Sequence, residues 1–537
     1  MSDYDSDKIH SVKGDVYGVS ETQLVEDCTI IKLSPLYNAL PFGYSRSRMI
    51  TRFGPGFTQR AAALLGGLCV FVSAYGLASF GSVESNPEVV AMLGLNKGST
   101  DYIAAKQGGY VCLNPLGMLV GAFCGGILSN KLGRTKGMSI GMLLTILGAV
   151  LQVSAQNVTW FSICRVLQGL GIGITDSIVP AWIGEMSPTH VRSGSIAFEL
   201  LFAGIGVSFA TWITYGTSFS DNYGFAWRFP LAFPIAIALV YFSLIHFMPE
   251  SPRWLVSVGK RDDARYVLNF LRGPEIAARD LARTEEACRE QKLLGSSLTY
   301  ASMFFGKENV RQQLFITLLV QFTGTFFAAY GMILSYSSTV FGFAGYGPNK
   351  VALIAGANSV QYALWFLVGV FGSDRVGGRN LVLMGASGMG VMMMVIGGLS
   401  KLVISTQSAS AGAGLVFCVF LYAAFHGASF ATMGWVIPVE IFPQASRSRG
   451  AAISIIVFSF GNGLSTMLAP YLFTALNENF FFLFGGLTLL SVPLLFIFVP
   501  QTAGRSLEEI ERLLRASWFY WRQEIARNQV LESKHTP

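Results

Sequence analysis

Glu185-Met186-Ser187-Pro188-Thr189-His190-Val191-Arg192 closes one long apolar run, and Glu440-Ile441-Phe442-Pro443-Gln444-Ala445-Ser446-Arg447 closes another, 255 residues further on. Both strings set a carboxylate, a proline three residues later and an arginine four beyond that. Two further echoes keep the same chain order. Asn130-Lys131-Leu132-Gly133 returns as Asp374-Arg375-Val376-Gly377 at an offset of 244, and Pro249-Glu250-Ser251 as Pro500-Gln501-Thr502 at 251. One match would be chance. Three, each at the end of an apolar run, argue for one design used twice, with residues 249–312 joining the copies.

The runs between these strings decide the class. A bilayer core of about 30 Å needs about 20 apolar residues per helix. Twelve segments meet that need, near 61–80, 109–130, 137–156, 160–182, 195–216, 229–248, 313–337, 350–371, 381–402, 413–437, 451–474 and 480–499. The sequence therefore predicts an all-α membrane protein of twelve spans in two six-helix halves. Composition agrees. Of 537 residues only 13% are charged and 52% are hydrophobic, against about 25% charged in a soluble domain. The net charge of +7 is small and collects on no single face, which disfavours a nucleic-acid partner. The seven cysteines show no close pairing, so neither a disulfide framework nor a zinc site is expected. No P-loop, catalytic triad or metal cluster stands out, so an enzyme is not expected, and no cofactor either. About 60 polar residues precede the first run, unlike a cleaved signal.

Lysine and arginine set the orientation. The short even-numbered loops hold eight, the odd-numbered loops with the span ends beside them five, and the central loop eleven more. This predicts both termini on the cytoplasmic side, at the plasma membrane. The domain reading is a polar tail at 1–60, a first half at 61–248, a linker with short helices at 249–312, a second half at 313–499 and a tail at 500–537. In that last tail Ser506-Leu507-Glu508-Glu509 reads as a capping box before apolar residues Ile510, Leu513, Leu514 and Trp518, which predicts an amphipathic helix lying on the bundle or the lipid. Asn157-Val158-Thr159 is a glycosylation sequon close to the membrane, and His246 and His426 read as ordinary polar residues near helix ends.

At the even-numbered loops, Arg134, Glu185, Arg192, Asp374, Arg379, Glu440 and Arg447 bring guanidinia and carboxylates to helix ends. Ion pairs there can hold one face of a two-half carrier closed, and rocking the halves would break them. The alternative is a set of ordinary interfacial anchors.

These motifs resemble the sugar porter family of the major facilitator superfamily, in a fungal-like form. The matching residues are Gly133-Arg134, Arg165, Gly169, Gly171, Gly173, Pro180, Glu185, Pro188, Arg192 and Gly194. They go on through Trp227-Arg228-Phe229-Pro230, Pro249-Glu250-Ser251-Pro252-Arg253-Trp254, Gln321, Gly324, Trp435, Glu440 to Pro443, Asn462, Pro470 and Thr502-Ala503-Gly504. The resemblance spans roughly 60–510. It implies alternating-access transport of a sugar or sugar-like polyol, with the substrate between the halves. The substrate-binding residues it points to are Gln321, Glu199, Trp435, Asn462, Gln361, Phe326 and Thr325.

The sequence departs from the family where the substrate is expected. Proton-coupled relatives carry an Asp in span 1, and the matching position here is Ala74. The span 4 Arg that it pairs with is kept as Arg165. A charge in hydrocarbon costs several kcal/mol unless it is paired or wetted, so Arg165 needs another partner or water. Loss of the Asp favours facilitated diffusion. Asp176 and Glu199 remain as charge-coupling candidates for proton symport. Glu199 falls near a family Gln, with Leu200 as the other choice, and can bind hydroxyls, pair with Arg165 or carry a proton. Either acid can also be an interfacial residue near a helix end. Asn130 replaces an Asp after span 2. In span 7 Phe326 stands at a family Asn, and Ser335-Tyr336-Ser337 comes five residues later than the family phrase. Tyr362 and Phe458 replace further polar positions. A non-transporting nutrient sensor is the remaining alternative.

Overall fold

The computed structural model describes residues 54–187, 192–293, 310–442 and 446–502 apart from Ser85, together with Met303, Ile510, Leu513, Leu514 and 517–520. Within the helices, the side chains at 82, 192–197, 287, 290–293, 373–374 and 447–448 lie outside the description.

Among the described residues, twelve helices are long and apolar enough to span a membrane. In chain order they are Pro55–Gly81, Thr100–Leu132, Arg134–Val153, Val158–Met186, Phe198–Thr217, Tyr223–Ile245, Arg311–Ser335, Pro348–Gly372, Gly378–Thr406, Ala409–Ile441, Arg449–Leu476 and Asn479–Phe498. They are spans 1–12 below. Each falls on a segment expected from the sequence. The observed helices run past several predicted ends, because polar first turns such as Thr100 to Gln107 continue the helix beyond the apolar stretch.

Local chemistry sets the ends. Span 2 begins on Ser99, whose side chain accepts from Tyr102 N, and span 4 on Asn157, whose side chain accepts from Trp160 N. The first residue of the sequon is thus a helix cap. Spans 2 and 3 meet at Gly133 (φ 88°) and spans 8 and 9 at Gly377 (φ 86°). Each glycine lets the chain reverse between two helices with no loop, because a Cβ at that φ would be strained.

Span 7 is broken. An α-helix ends at Phe322, residues Thr323–Phe327 form a π-helical turn, and Ala329 takes a left-handed conformation at φ 52°. Helices Tyr330–Ser335 and Ser337–Gly342 follow. Tyr422 Oη bonds the carbonyl of Ala328, and Thr488 Oγ1 donates to that of Phe327 at 2.8 Å, so the freed backbone groups find partners. The π turn and the break lie between Gln321 and Ser335, in the stretch where the Ser-Tyr-Ser phrase comes late. Span 10 is interrupted more briefly, at the single residue Ser429, between Ala409–Ala428 and Phe430–Ile441.

Between the halves, span 2 packs along span 11 and span 5 along span 8. The described ends of the chain, Gly54 and Tyr520, mark the termini face, and near the opposite face the backbones themselves meet. Gly81 lies against the backbone of Ser335, and Gly108 against that of Met467. That face, the far face, is closed in this structure.

The linker helices Pro252–Ser257, Arg261–Arg272 and Pro274–Leu293 pack on the first half. Trp254, Leu255, Val267, Leu268 and Leu281 share its core, and Arg272 Nη2 donates to Ser187 O at 3.1 Å. The C-terminal tail docks on the second half. Ile510 and Leu514 join its core, and Leu513 between them is also buried. Gln312 Nε2 donates to Ser517 O at 3.0 Å, Trp518 meets Phe315, and Phe519 meets Phe498. Residues 1–53 and most of the predicted tail helix lie outside the described residues.

Candidate functional site

Side chains from both halves enclose a central cavity with about 1250 Å³ of empty space, part of it open to solvent. The second half supplies most of the neutral polar groups. Gln321 is held by two donations from its Nε2, to Gly434 O at 2.8 Å and Ser454 Oγ at 2.6 Å. Its Oε1 is thereby turned to the site as an acceptor. Thr325 lies one turn on and donates to Gln321 O at 2.7 Å. Asn462 and Tyr362 also line the wall. Trp435, packed at 5.3 Å against Phe458, presents an indole to the cavity. An aromatic face beside hydroxyl-binding groups suits a ring with one apolar side.

An aromatic stack completes this wall. Tyr330 lies face to face with His426, centroids 3.7 Å apart at 7°, and Tyr362 Oη is 3.2 Å from His426 Nδ1. His426, expected to be an ordinary helix-end residue, therefore lines the cavity. The breaks in spans 7 and 10 turn Tyr330 and His426 inward, and neither break is visible in hydropathy.

The first half supplies the charges. Arg165, Asp176 and Glu199 all line the cavity, at 1%, 6% and 1% exposure. Ser73 Oγ donates to Asp176 Oδ1 at 2.7 Å. Glu199 lies within charge reach of Asp176, and its Oε2 has no hydrogen-bond partner. Ala74 lines the same wall. Arg165 finds partners other than the missing span 1 acid: its guanidinium sits 4.2 Å over the ring of Phe80 and within charge reach of Glu84, at the far end of span 1.

A family model described as Sugar (and other) transporter matches residues 62–514. The chain belongs to this family. The transporter is 28% identical over 434 residues to the probable metabolite transport protein CsbC of Bacillus subtilis, covering 80% of this chain and 90% of that one. It is 30% identical over 420 residues to the sugar transporter STL1 of Saccharomyces cerevisiae, covering 75% and 72%. The proton:xylose symporter XylE bound to 6-bromo-6-deoxy-D-glucose has the same fold, with a TM-score of 0.73 at 22% identity over 86% of this chain and 99% of that one. The transporter is thus a multi-pass membrane carrier of the major facilitator fold and not an enzyme.

Two of the expected substrate residues stand away from the cavity wall of the transporter. Phe326 packs against Phe322, Phe327 and Phe484 in the second-half core. The π turn rotates it out while leaving Thr325 in. Gln361 donates to Asn358 Oδ1 at 3.0 Å and to Phe420 O at 3.1 Å. Its neighbour Tyr362 faces the site in its place.

The motif charges brace helix ends on the termini face. Arg134 makes a bidentate pair with Glu185, Nε to Oε2 and Nη2 to Oε1, both at 3.1 Å. Arg134 Nη1 reaches Ser129 O at 3.1 Å. Glu250 caps the start of span 3, accepting from Arg134 N at 2.9 Å, Thr135 N at 3.1 Å and Thr135 Oγ1 at 2.7 Å. Arg134, Glu185 and Glu250 belong to one half and its linker edge, so the Arg134–Glu185 pair rides with that half rather than bridging the two. Arg379 donates to the carbonyls of Val499 at 2.9 Å and Phe496 at 2.6 Å, and stacks on Tyr520 at 3.9 Å. Glu440 ends span 10 and is half-buried. The side chains of Arg192, Asp374 and Arg447 lie outside the described residues.

Proposed function

We propose that the transporter moves a sugar or a related polyol across the plasma membrane by alternating access and facilitated diffusion, with both termini cytoplasmic. The observation that carries the substrate class is the cavity wall formed by Gln321, Thr325, Asn462 and Tyr362 beside the Trp435 indole. Polar groups at that spacing bind hydroxyls, and the indole covers an apolar sugar face. Ala74 on the cavity wall supports facilitated diffusion, because no span 1 carboxyl is there to carry a proton.

In this reading the two six-helix halves rock about the cavity, and the linker helices travel with the first. The braces at Arg134–Glu185 and Arg379 stiffen the rocking bodies. Arg192, Asp374, Glu440 and Arg447 complete the gate on the termini face.

Proton symport is the second reading. It is favoured by the pairing of two buried carboxyls, Asp176 and Glu199, on the cavity wall. One experiment separates the two. Uptake of labelled sugars, polyols and sugar acids is followed in a transporter-deficient cell, with and without a protonophore. Saturable uptake that only equilibrates and resists the protonophore is expected. Concentrative, protonophore-sensitive uptake that is lost in Glu199→Gln would replace facilitated diffusion by symport. Absence of uptake from a correctly localised protein would overturn the sugar reading.

A further inference from the structure

Two buried groups of opposite charge meet behind the closed far face, and neither is fully satisfied. Glu84 follows span 1 and is 7% exposed. One carboxylate oxygen accepts from Gln107 Nε2 at 2.9 Å, and the other has no partner. Arg165, at the inner side of the same cluster, has no hydrogen-bond partner at Nε or Nη1. The cluster is completed from the other half. Tyr336, in the break after span 7, lies within charge reach of both Glu84 and Arg165, and its Oη donates to Thr466 O at 3.3 Å. Ser335, its neighbour, is the residue pressed on Gly81.

We propose that Glu84 is a proton-binding residue of the transport cycle: it takes up a proton as the far face closes over it, and returns that proton to the same side when the face opens. This rests on the alternating-access reading above.

The geometry sets the direction. In the closed form Tyr336 and Ser335 cover the cluster, and water is excluded from the unpartnered oxygen. Opening of the far face withdraws both residues with the second half and wets Glu84. Burial pushes the Glu84 carboxyl up to about 8, against the opposing effects of Gln107 and Arg165. A wetted glutamate returns to about 4.3. The closed form therefore binds more protons between those values, and acid stabilises it. The groups facing Glu84 are Arg165 from span 4, Gln107 from span 2 and Tyr336 from the break after span 7, with Cys112 of span 2 beside Arg165 and Tyr336. The neighbouring Glu88 is engaged by Trp227 Nε1 at 3.0 Å and by Arg228 at 3.4 Å on the exposed surface. Because the proton leaves by the side it came from, pH sets the rate without driving accumulation. Such a site is compatible with facilitated diffusion.

The test needs no substrate. Spin labels at Lys97→Cys and Asn349→Cys, both exposed on the far face, report the separation of the halves in the purified protein by pulsed dipolar spectroscopy. In the otherwise native protein, the ratio of closed to open forms is expected to rise about tenfold for each pH unit lowered between about 8 and 5. Glu84→Gln should hold one ratio at every pH, while Glu88→Gln should behave as the native protein. A native ratio that ignores pH, or an unchanged slope in Glu84→Gln, overturns the proposal. If Glu84→Gln does not fold, Gln107→Leu decides. It removes the one hydrogen bond to the carboxylate and should move the pH midpoint upward; an unmoved midpoint overturns the proposal. A pH-dependent ratio without sugar uptake would leave the proton site standing and remove the sugar reading alone.

Discussion

At the scale of single residues, the site is built from groups whose spare valence is known. Gln321 gives both amide hydrogens to the protein and keeps an acceptor for the cavity. Gln321→Ala should therefore weaken KM without unfolding the transporter. One hydrogen bond, about 0.5–1.5 kcal/mol, corresponds to roughly a two- to twelve-fold rise in KM. Phe326→Ala should show the opposite pattern. It removes a ring from the cluster with Phe322, Phe327 and Phe484, so melting in detergent should fall by the equivalent of about 3 kcal/mol with KM unchanged. Uptake kinetics and thermal scans of the two variants check both statements. The contrast shows what the sequence could carry. Gln321, Thr325, Trp435, Asn462 and Glu199 were legible as substrate-site candidates, and Arg165 and Asp176 as charge-coupling candidates; all of them line the cavity. Phe326 was misplaced because a π turn leaves no mark on composition, and Gln361 because motif position does not fix which of two adjacent residues on a regular helix faces the cavity.

At the scale of elements, span 7 carries the conformational cost. Ala329 is buried and left-handed at φ 52°, where a side chain costs about 1–2 kcal/mol. Ala329→Gly should be tolerated or stabilising. Ala329→Val should lower stability by more than about 2 kcal/mol, since a β-branched residue fits neither that φ nor the filled space. Thermal unfolding of the purified variants reads the difference. The spans themselves were plain in the sequence, since apolar length is a one-dimensional property. The breaks in spans 7 and 10 were not, because they depend on partners far along the chain, such as Tyr422 and Thr488 for the carbonyls after Thr325. The same limit hid Tyr330 and His426, which reach the cavity only through those breaks, and Glu84, which is distant from Arg165 in sequence.

At the scale of the whole molecule, the two halves meet on the far face through backbone at Gly81 and Gly108. A side chain at either point requires the halves to separate. Gly81→Leu and Gly108→Leu are each expected to abolish uptake while the protein still reaches the membrane, and to leave the far face open to a membrane-impermeant thiol reagent at Ser335→Cys. Normal uptake with that position shielded would show that closure uses another contact.

The docking of the tail carries a practical consequence. Residues 517–520 touch spans 7, 9 and 12, all parts of the second half, while the helices from Pro252 to Leu293 rest on the first. A dye fixed beside each would sit on opposite arms of the same lever. Their energy transfer would display the rocking stroke by stroke in a single molecule, with every cavity residue left as nature supplied it.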